Sequence, residues 1–244
     1  SLSDLIDKYG SKESGMYMSR GRGISPMSAV DSLINMEWVL KCIERDRDKM
    51  VELMKKNKEK PALGVDVANS EAGDDAAIAR GLGSVLLELE AFKCPDANQL
   101  GKRNIKQKMK EYNISASRVG VDGVGVGAGT VNALKEEGIK VVNLLGGNAP
   151  VKTPRVERFD NLRSQMWWQM REDLRFDPEL VILNDLELLY DLTTPKWQEK
   201  NGKICVESKK EIKKRLGRSP NKGDAVVYWN WVRKPRTKNI EVLQ

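Results

Sequence analysis

Histidine is absent from all 244 residues of the chain, and this absence removes more chemistry than any other compositional feature. It excludes Ser-His and Cys-His nucleophile pairs, the commonest general base and most zinc sites. Cysteine is scarce: Cys42, Cys94 and Cys205 are odd in number and scattered, with no CxxC and no pairing pattern. That usage reads as free thiols in a reducing compartment. No apolar run reaches about 18 residues and no signal-peptide pattern is present, so neither a transmembrane helix nor secretion is expected. Carboxylates, lysines and hard cations bound through oxygen remain to carry any chemistry.

What is present is a charged chain, 32% Asp, Glu, Lys and Arg with a net charge of +7, which favours a polyanionic partner. Its informative stretch runs from Pro61 to Arg80. An apolar run, Ala62 to Val67, reads as a β-strand buried on both faces and interrupted by one acid, Asp66. A lone buried carboxylate is costly without a metal, a basic partner or a helix N-terminus beside it. Asn69 to Asp75 reads as a turn, with Asp74 and Asp75 at the mouth of the next strand. Ala76 to Gly81 and Val85 to Ala91 then complete an antiparallel meander through the Gly81-Leu82-Gly83 turn.

Further along, Ser32 to Lys55 has helical apolar spacing and ends in a charge run before Pro61. Pro95 to Tyr112 reads as an amphipathic helix with Asp96 as N-cap. Arg118 to Val121 is a strand, Thr130 to Glu137 a helix closed by Gly138, and Val141 to Leu145 another strand. Phe159 to Leu174 and Asp185 to Leu192 read as helices, and Trp197 to Ile204 as a hairpin turning at Asn201-Gly202. Glu207 to Leu216 is a basic helix. Asp224 to Val232 is a buried helix or strand capped by Asp224, and the tail from Arg233 reads as frayed. This order predicts a mixed sheet with helices packed on it.

The glycine-rich run after Asp122 admits three readings. Gly123, Gly125 and Ala128 fit a dinucleotide fingerprint loosely, but the next strand ends in glycines rather than an acid. Gly147 to Thr153 has a Lys-Thr pair but no glycine where a phosphate loop needs one. In the third reading Asp122 ends a strand as Asp66 does, and Asp224 opens the last element. Three such acids at one sheet edge would repel one another unless cations held them. Without histidine, those cations would be Mg²⁺ or Mn²⁺.

Taken with their motifs, these acids make the sequence resemble the C-terminal nuclease domain of the large terminase subunit of tailed bacteriophages. The pieces are GVDVA with GDDAAI downstream, VGVDGVGVGAGTVNAL, FDNLRSQMWWQMREDL and SPNKGDAVVYW. The approach YGSKESGMYMSRGRG to NMEWVLKCIER is similar to that family's linker from its ATPase domain. The resemblance implies an α/β, ribonuclease H-like fold: a mixed central sheet, antiparallel meander then parallel strands, flanked by helices, with a β-hairpin insertion near the C-terminus. It implies a linker over residues 1–60, from an ATPase domain that has no counterpart here, and a nuclease domain over 61–244.

By the same resemblance, Asp66, Asp122 and Asp224 would be metal ligands for two Mg²⁺ or Mn²⁺ ions, with Asp75 or Asp74 as a possible addition. Asp66 would bridge both ions, Asp224 would serve the ion that activates water, and Asp122 the ion at the leaving group. The implied activity is endonucleolytic cutting of concatemeric double-stranded DNA with little sequence preference, in the host cell cytoplasm. The implied partners are the ATPase domain, the portal and the small terminase subunit. Lys209, Lys210, Lys213, Lys214, Arg215, Arg218 and Lys222 either line the DNA cleft or form a solvated face. A non-catalytic DNA-binding or docking module is the rival expectation, and a nucleotide-binding enzyme using Asp122 to Gly129 a third.

Overall fold

The computed structural model describes residues 31–67, 75–153 and 157–234. Two helices come first, α1 (Met36–Ile43) and α2 (Arg47–Lys56). The single helical pattern expected over Ser32 to Lys55 is broken here because Asp46 turns out of the helix and caps α2, accepting the Lys49 N–H at 3.1 Å. The meander follows as β1 (Pro61–Asp66), β2 (Ala76–Leu82) and β3 (Val85–Phe92). Asp96 then caps α3 (Ala97–Gln99), which widens into a π-helical stretch (Leu100–Ile105) and continues as α4 (Lys106–Glu111).

Next come β4 (Val119–Asp122), α5 (Gly127–Glu136) and β5 (Val142–Leu144). Helices α6 (Leu162–Phe176) and α7 (Leu186–Thr193) lead to the hairpin β6 (Trp197–Lys200) and β7 (Lys203–Val206). Asn201 and Gly202 both take positive φ, 54° and 69°, as the expected two-residue turn requires. The chain closes with α8 (Lys209–Leu216) and α9 (Asn221–Val232).

The sheet runs β3-β2-β1-β4-β5. β1, β2 and β3 pair antiparallel, whereas β1–β4 and β4–β5 are parallel. The expected mixed sheet is therefore present, flanked by helices.

The two faces of the sheet differ in side-chain size, and alternation along each strand explains how. Leu63, Val65, Ile78, Val119 and Val121 face the layer formed by the 97–111 helix and α5. Ala62, Ala77 and Ala79 belong to the opposite core, together with α9, α6, α7 and α1. Gly64 lies on this second face. A Cβ there would come within 2.1 Å of both the Ala225 carbonyl oxygen and the Trp229 nitrogen. The missing side chain therefore admits α9 onto the strand backbone, and α9 is buried nearly throughout.

Leu33, Ile34, Val39 and Cys42 pack into the same core as Trp167 and Trp229. Arg233, expected in a frayed tail, is instead buried. Its guanidinium donates to Ser84 Oγ at 2.7 Å and to Asp177 Oδ2 at 2.9 Å, which ties the end of α9 to its surroundings. No helix among the described residues is long and apolar enough to cross a membrane.

Candidate metal centre

Asp66 and Asp122 end parallel neighbours. Val65 is level with Val121, which sets the two acids side by side at the carboxyl ends of their strands. Alternation puts Asp66 on the same face as Ala62 and Gly64, the face covered by α9, and α9 carries Asp224 in its first turn. The close approach allowed at Gly64 thus joins the third acid to the first two. Asp224 is not the helix cap expected from the sequence. Pro220 occupies that position, and Asp224 points into the protein as an interior residue with no exposed surface.

Around Asp122 the chain is also drawn tight. A Cβ on Gly127 would lie 1.8 Å from the Asp122 carbonyl oxygen, so the start of α5 sits against this strand end. The Val124 N–H donates to Asp122 Oδ1 at 3.0 Å and the Tyr228 hydroxyl to Oδ2 at 3.1 Å. Burial raises the Asp122 pKa, opposed by the Val124 N–H and Lys209. Burial also keeps the Tyr228 phenol far above its ordinary value, reinforced by the charges of Asp224 and Asp122. Tyr228 therefore remains a proton donor to Asp122.

Lys209, on the first turn of α8, supplies the positive charge between the acids. Its ammonium donates to both oxygens of Asp66, at 2.9 and 2.8 Å, and stands 3.5 Å from Asp224 Oδ2. Burial pushes the Asp66 pKa up to about 7, with repulsion from Asp224 and Asp122 adding to it and Lys209 opposing. Burial alone would lower the Lys209 pKa, but Asp66 and Asp224 outweigh it and hold it above the ordinary lysine value. Asp224 goes the other way. The Arg163 guanidinium, 2.6 Å away, and then Lys209 more than reverse the effect of burial and keep its carboxyl below the usual range. The Trp167 indole N–H donates to the same Asp224 Oδ1 at 3.1 Å.

Arg163, Trp167 and Tyr228 lie within the motifs quoted above, but none of them was expected to have a role in the site. Their spacing nevertheless carries a signal: Arg163 and Trp167 are four apart on α6, and Asp224 and Tyr228 four apart on α9, so each pair shares a helix face.

The other expected residues differ in their surroundings. Asp75 pairs with Lys93 at 2.7 Å, and Asp74 is outside the described residues. Of the basic set, Lys209 points into the acid cluster rather than onto a solvated face. Arg215 binds Glu207, Arg218 binds Asp191 and Glu187, and Lys222 binds Asp185 and Glu187. Lys210 and Lys214 are exposed and Lys213 is half-buried.

No protein-family model matches the sequence, and no curated protein matches it. Solved structures do. The nuclease domain of the large terminase subunit gp2 of bacterial virus Sf6 superposes with a TM-score of 0.67 at 21% identity, over 84% of this chain and 100% of that one. A point mutant of that domain, solved with manganese and beta-thujaplicinol, gives the same score and coverage. The large terminase nuclease from thermophilic phage G20c with bound magnesium gives 0.54 at 14% identity, over 84% of this chain and 98% of that one. The fold is that of the phage terminase nucleases.

Within this terminase-nuclease fold the residues suit a hard divalent cation. The donor set is entirely carboxylate oxygen, as Mg²⁺ and Mn²⁺ prefer. Asp224 Oδ2 is buried yet accepts no hydrogen bond; Lys209 at 3.5 Å is an ionic neighbour too distant for one. Among the described residues no three acids already stand close enough to enclose an ion, and the charge balancing Asp66 and Asp224 is the lysine.

Proposed function

We propose that this chain is a metal-dependent endonuclease that cuts concatemeric double-stranded DNA with little sequence preference, as the nuclease part of a phage packaging motor. One observation carries the reading: Asp66 and Asp122 end neighbouring parallel strands, and the Lys209 ammonium links Asp66 to Asp224 on the buried helix that covers them. The common fold with nuclease domains solved with manganese and magnesium supports it.

Asp66, Asp122 and Asp224 would hold two Mg²⁺ or Mn²⁺ ions, with Asp66 between its two neighbours. When bound, such cations lower the pKa of the attacking water and offset charge at the leaving oxygen. The chain's own residues orient the acids. Arg163 and Trp167 fix one oxygen of Asp224, Tyr228 fixes one of Asp122, and Lys209 holds Asp66 in place and opposes its protonation. Lys210 and Lys214 would meet DNA phosphates. In this proposal residues 1–60 lead from an ATPase domain, 61–244 form the nuclease, and the portal and small terminase subunit are partners in the host cytoplasm.

The test is incubation of supercoiled plasmid with Mn²⁺, Mg²⁺ or EDTA. Nicking and linearisation should appear only with metal and should vanish in Asp66→Asn, while that variant keeps its fold and its DNA affinity. DNA binding without cutting under every condition would leave a docking module. Cutting by Asp66→Asn at the wild-type rate would remove Asp66 from the mechanism.

A further inference from the structure

Helix α9 starts without a cap of its own. Pro220 stands at the N-cap position and provides no side-chain acceptor, although the first-turn N–H groups of a helix need partners. The acceptor comes from α7. Asp191 Oδ2 accepts the Gly223 N–H at 3.1 Å, and Asp191 has no exposed surface. Its other oxygen faces the Arg218 guanidinium at 2.6 Å.

The contact is also steric. A Cβ on Gly223 would come 2.8 Å from Asp191 Cβ, so no side chain fits between the two helices there. Lys222 reaches back to Asp185 at 2.7 Å and Glu187 at 3.1 Å, and Arg218 reaches Glu187 at 3.2 Å. One acidic edge of α7 thus grips the segment leading into α9 and its first turn. The residue after Gly223 is Asp224. A carboxylate at a helix N-terminus satisfies an orphan donor and complements the helix dipole together.

We propose that Asp191 is a positioning residue, capping α9 from α7 and so fixing where Asp224 sits. The proposal rests on the reading of Asp224 as a metal ligand, but its geometry can be measured without metal. The Trp167 indole N–H is bonded to Asp224, so its proton–nitrogen resonance reports the position of that carboxylate. It can be assigned among the six tryptophans with a Trp167→Phe variant.

The experiment compares wild type, Asp191→Ala, Asp191→Asn and Gly223→Ala, in EDTA and then by Mn²⁺ titration calorimetry. Asp191→Ala and Gly223→Ala should displace the Trp167 resonance, while the other indole signals stay. Both should weaken Mn²⁺ binding by about 10- to 100-fold, as removal of a partner that orients a ligand does. Asp191→Asn keeps an oxygen for the Gly223 N–H and should restore the resonance. An unmoved resonance with unchanged Mn²⁺ affinity in Asp191→Ala would overturn the proposal. So would failure of both Asp191→Ala and Gly223→Ala to fold, which would make Asp191 a fold-holding residue. If wild type neither binds Mn²⁺ nor cuts DNA, the nuclease reading fails, whereas a displaced resonance still upholds the positioning role.

Discussion

At the scale of single residues, Lys209 and Asp66 depend on each other. The lysine side chain is 32% exposed and the aspartate wholly buried. Replacing Lys209 by Met would leave Asp66 and Asp224 without their shared cation. In EDTA the loss of stability should be somewhat less than the about 3–5 kcal/mol of breaking a fully enclosed pair, because water reaches part of the lysine. Added Mn²⁺ should recover much of it, since a ligand that binds only the folded state stabilises that state. Urea unfolding with and without Mn²⁺ measures both effects, and equal loss in the two would argue against cation binding between these acids.

The buried acids also predict a pH dependence. Burial pushes Asp66 and Asp191 each up to about 7, against an unfolded value near 3.9. Between those limits the folded chain binds more protons than the unfolded one, so stability falls as pH rises. The slope should approach roughly 1.4 kcal/mol per pH unit for each group over that window, less whatever opposing carboxylates such as Asp177, held below the usual range, contribute at its acid end. Metal-free unfolding at pH 5 and pH 8 should show the lower stability at pH 8, and Asp191→Asn should flatten the difference. A protein equally stable at both values, in wild type and variant alike, would contradict it.

At the scale of elements, the decisive contact is α9 on β1. Gly64→Ala would place a methyl group on the backbone of α9, and the loss should reach or exceed the upper end of the about 1–3 kcal/mol typical of overpacking. The same variant should separate Asp66 from Asp224, so cleavage should fall further than the stability loss predicts. Thermal unfolding together with cleavage rates below the transition tests this. Normal activity in a fully folded Gly64→Ala protein would count against the packing argument.

Much at this scale was readable in the sequence. Alternation, turn residues and the Asn201-Gly202 pair are local signals, so the meander, the hairpin and the strands ending in Asp66 and Asp122 could be placed. What could not be read depended on partners distant in the chain. Asp46 breaks a periodic helix through a cap that periodicity does not weigh. Asp224 resembles a cap because it follows a turn, yet Pro220 takes that place and tertiary packing turns the acid inward. Arg233 sits in a polar tail by composition and is buried by Ser84 and Asp177. Lys209 is one lysine among many in a basic run, and only the fold distinguishes it from Lys210.

At the scale of the whole molecule, the net charge of +7 overstates the basic residues free to meet DNA around α8. Arg215, Arg218 and Lys222 are held by acids of their own chain, and Lys209 by the acid cluster. Lys210 and Lys214, one turn apart and exposed, are the two that the proposed function assigns to DNA phosphates. Replacing both by Ala should flatten the log–log salt dependence of DNA binding by ~0.9 for each phosphate no longer neutralised, equally for any duplex. Stability should change by no more than about 0.5 kcal/mol. An unchanged salt slope with unchanged cutting would return this helix face to plain solvation.

The burial of α9 has a kinetic side. With almost no face toward water, and with Val226, Val227, Tyr228, Trp229 and Trp231 in close succession, it has few of the strong helix formers that let a helix stand alone. It gains its shape from the sheet it covers. The groups that complete the site are also far apart in the chain, Lys209 and Asp66 by 143 positions, and such long loops close late in folding. A nascent or half-folded chain therefore carries Asp66 and Asp122 without Asp224 beside them. If the chain is the nuclease proposed above, its capacity to cut DNA arises only when the last helix docks, and activity itself becomes a signal that folding is finished.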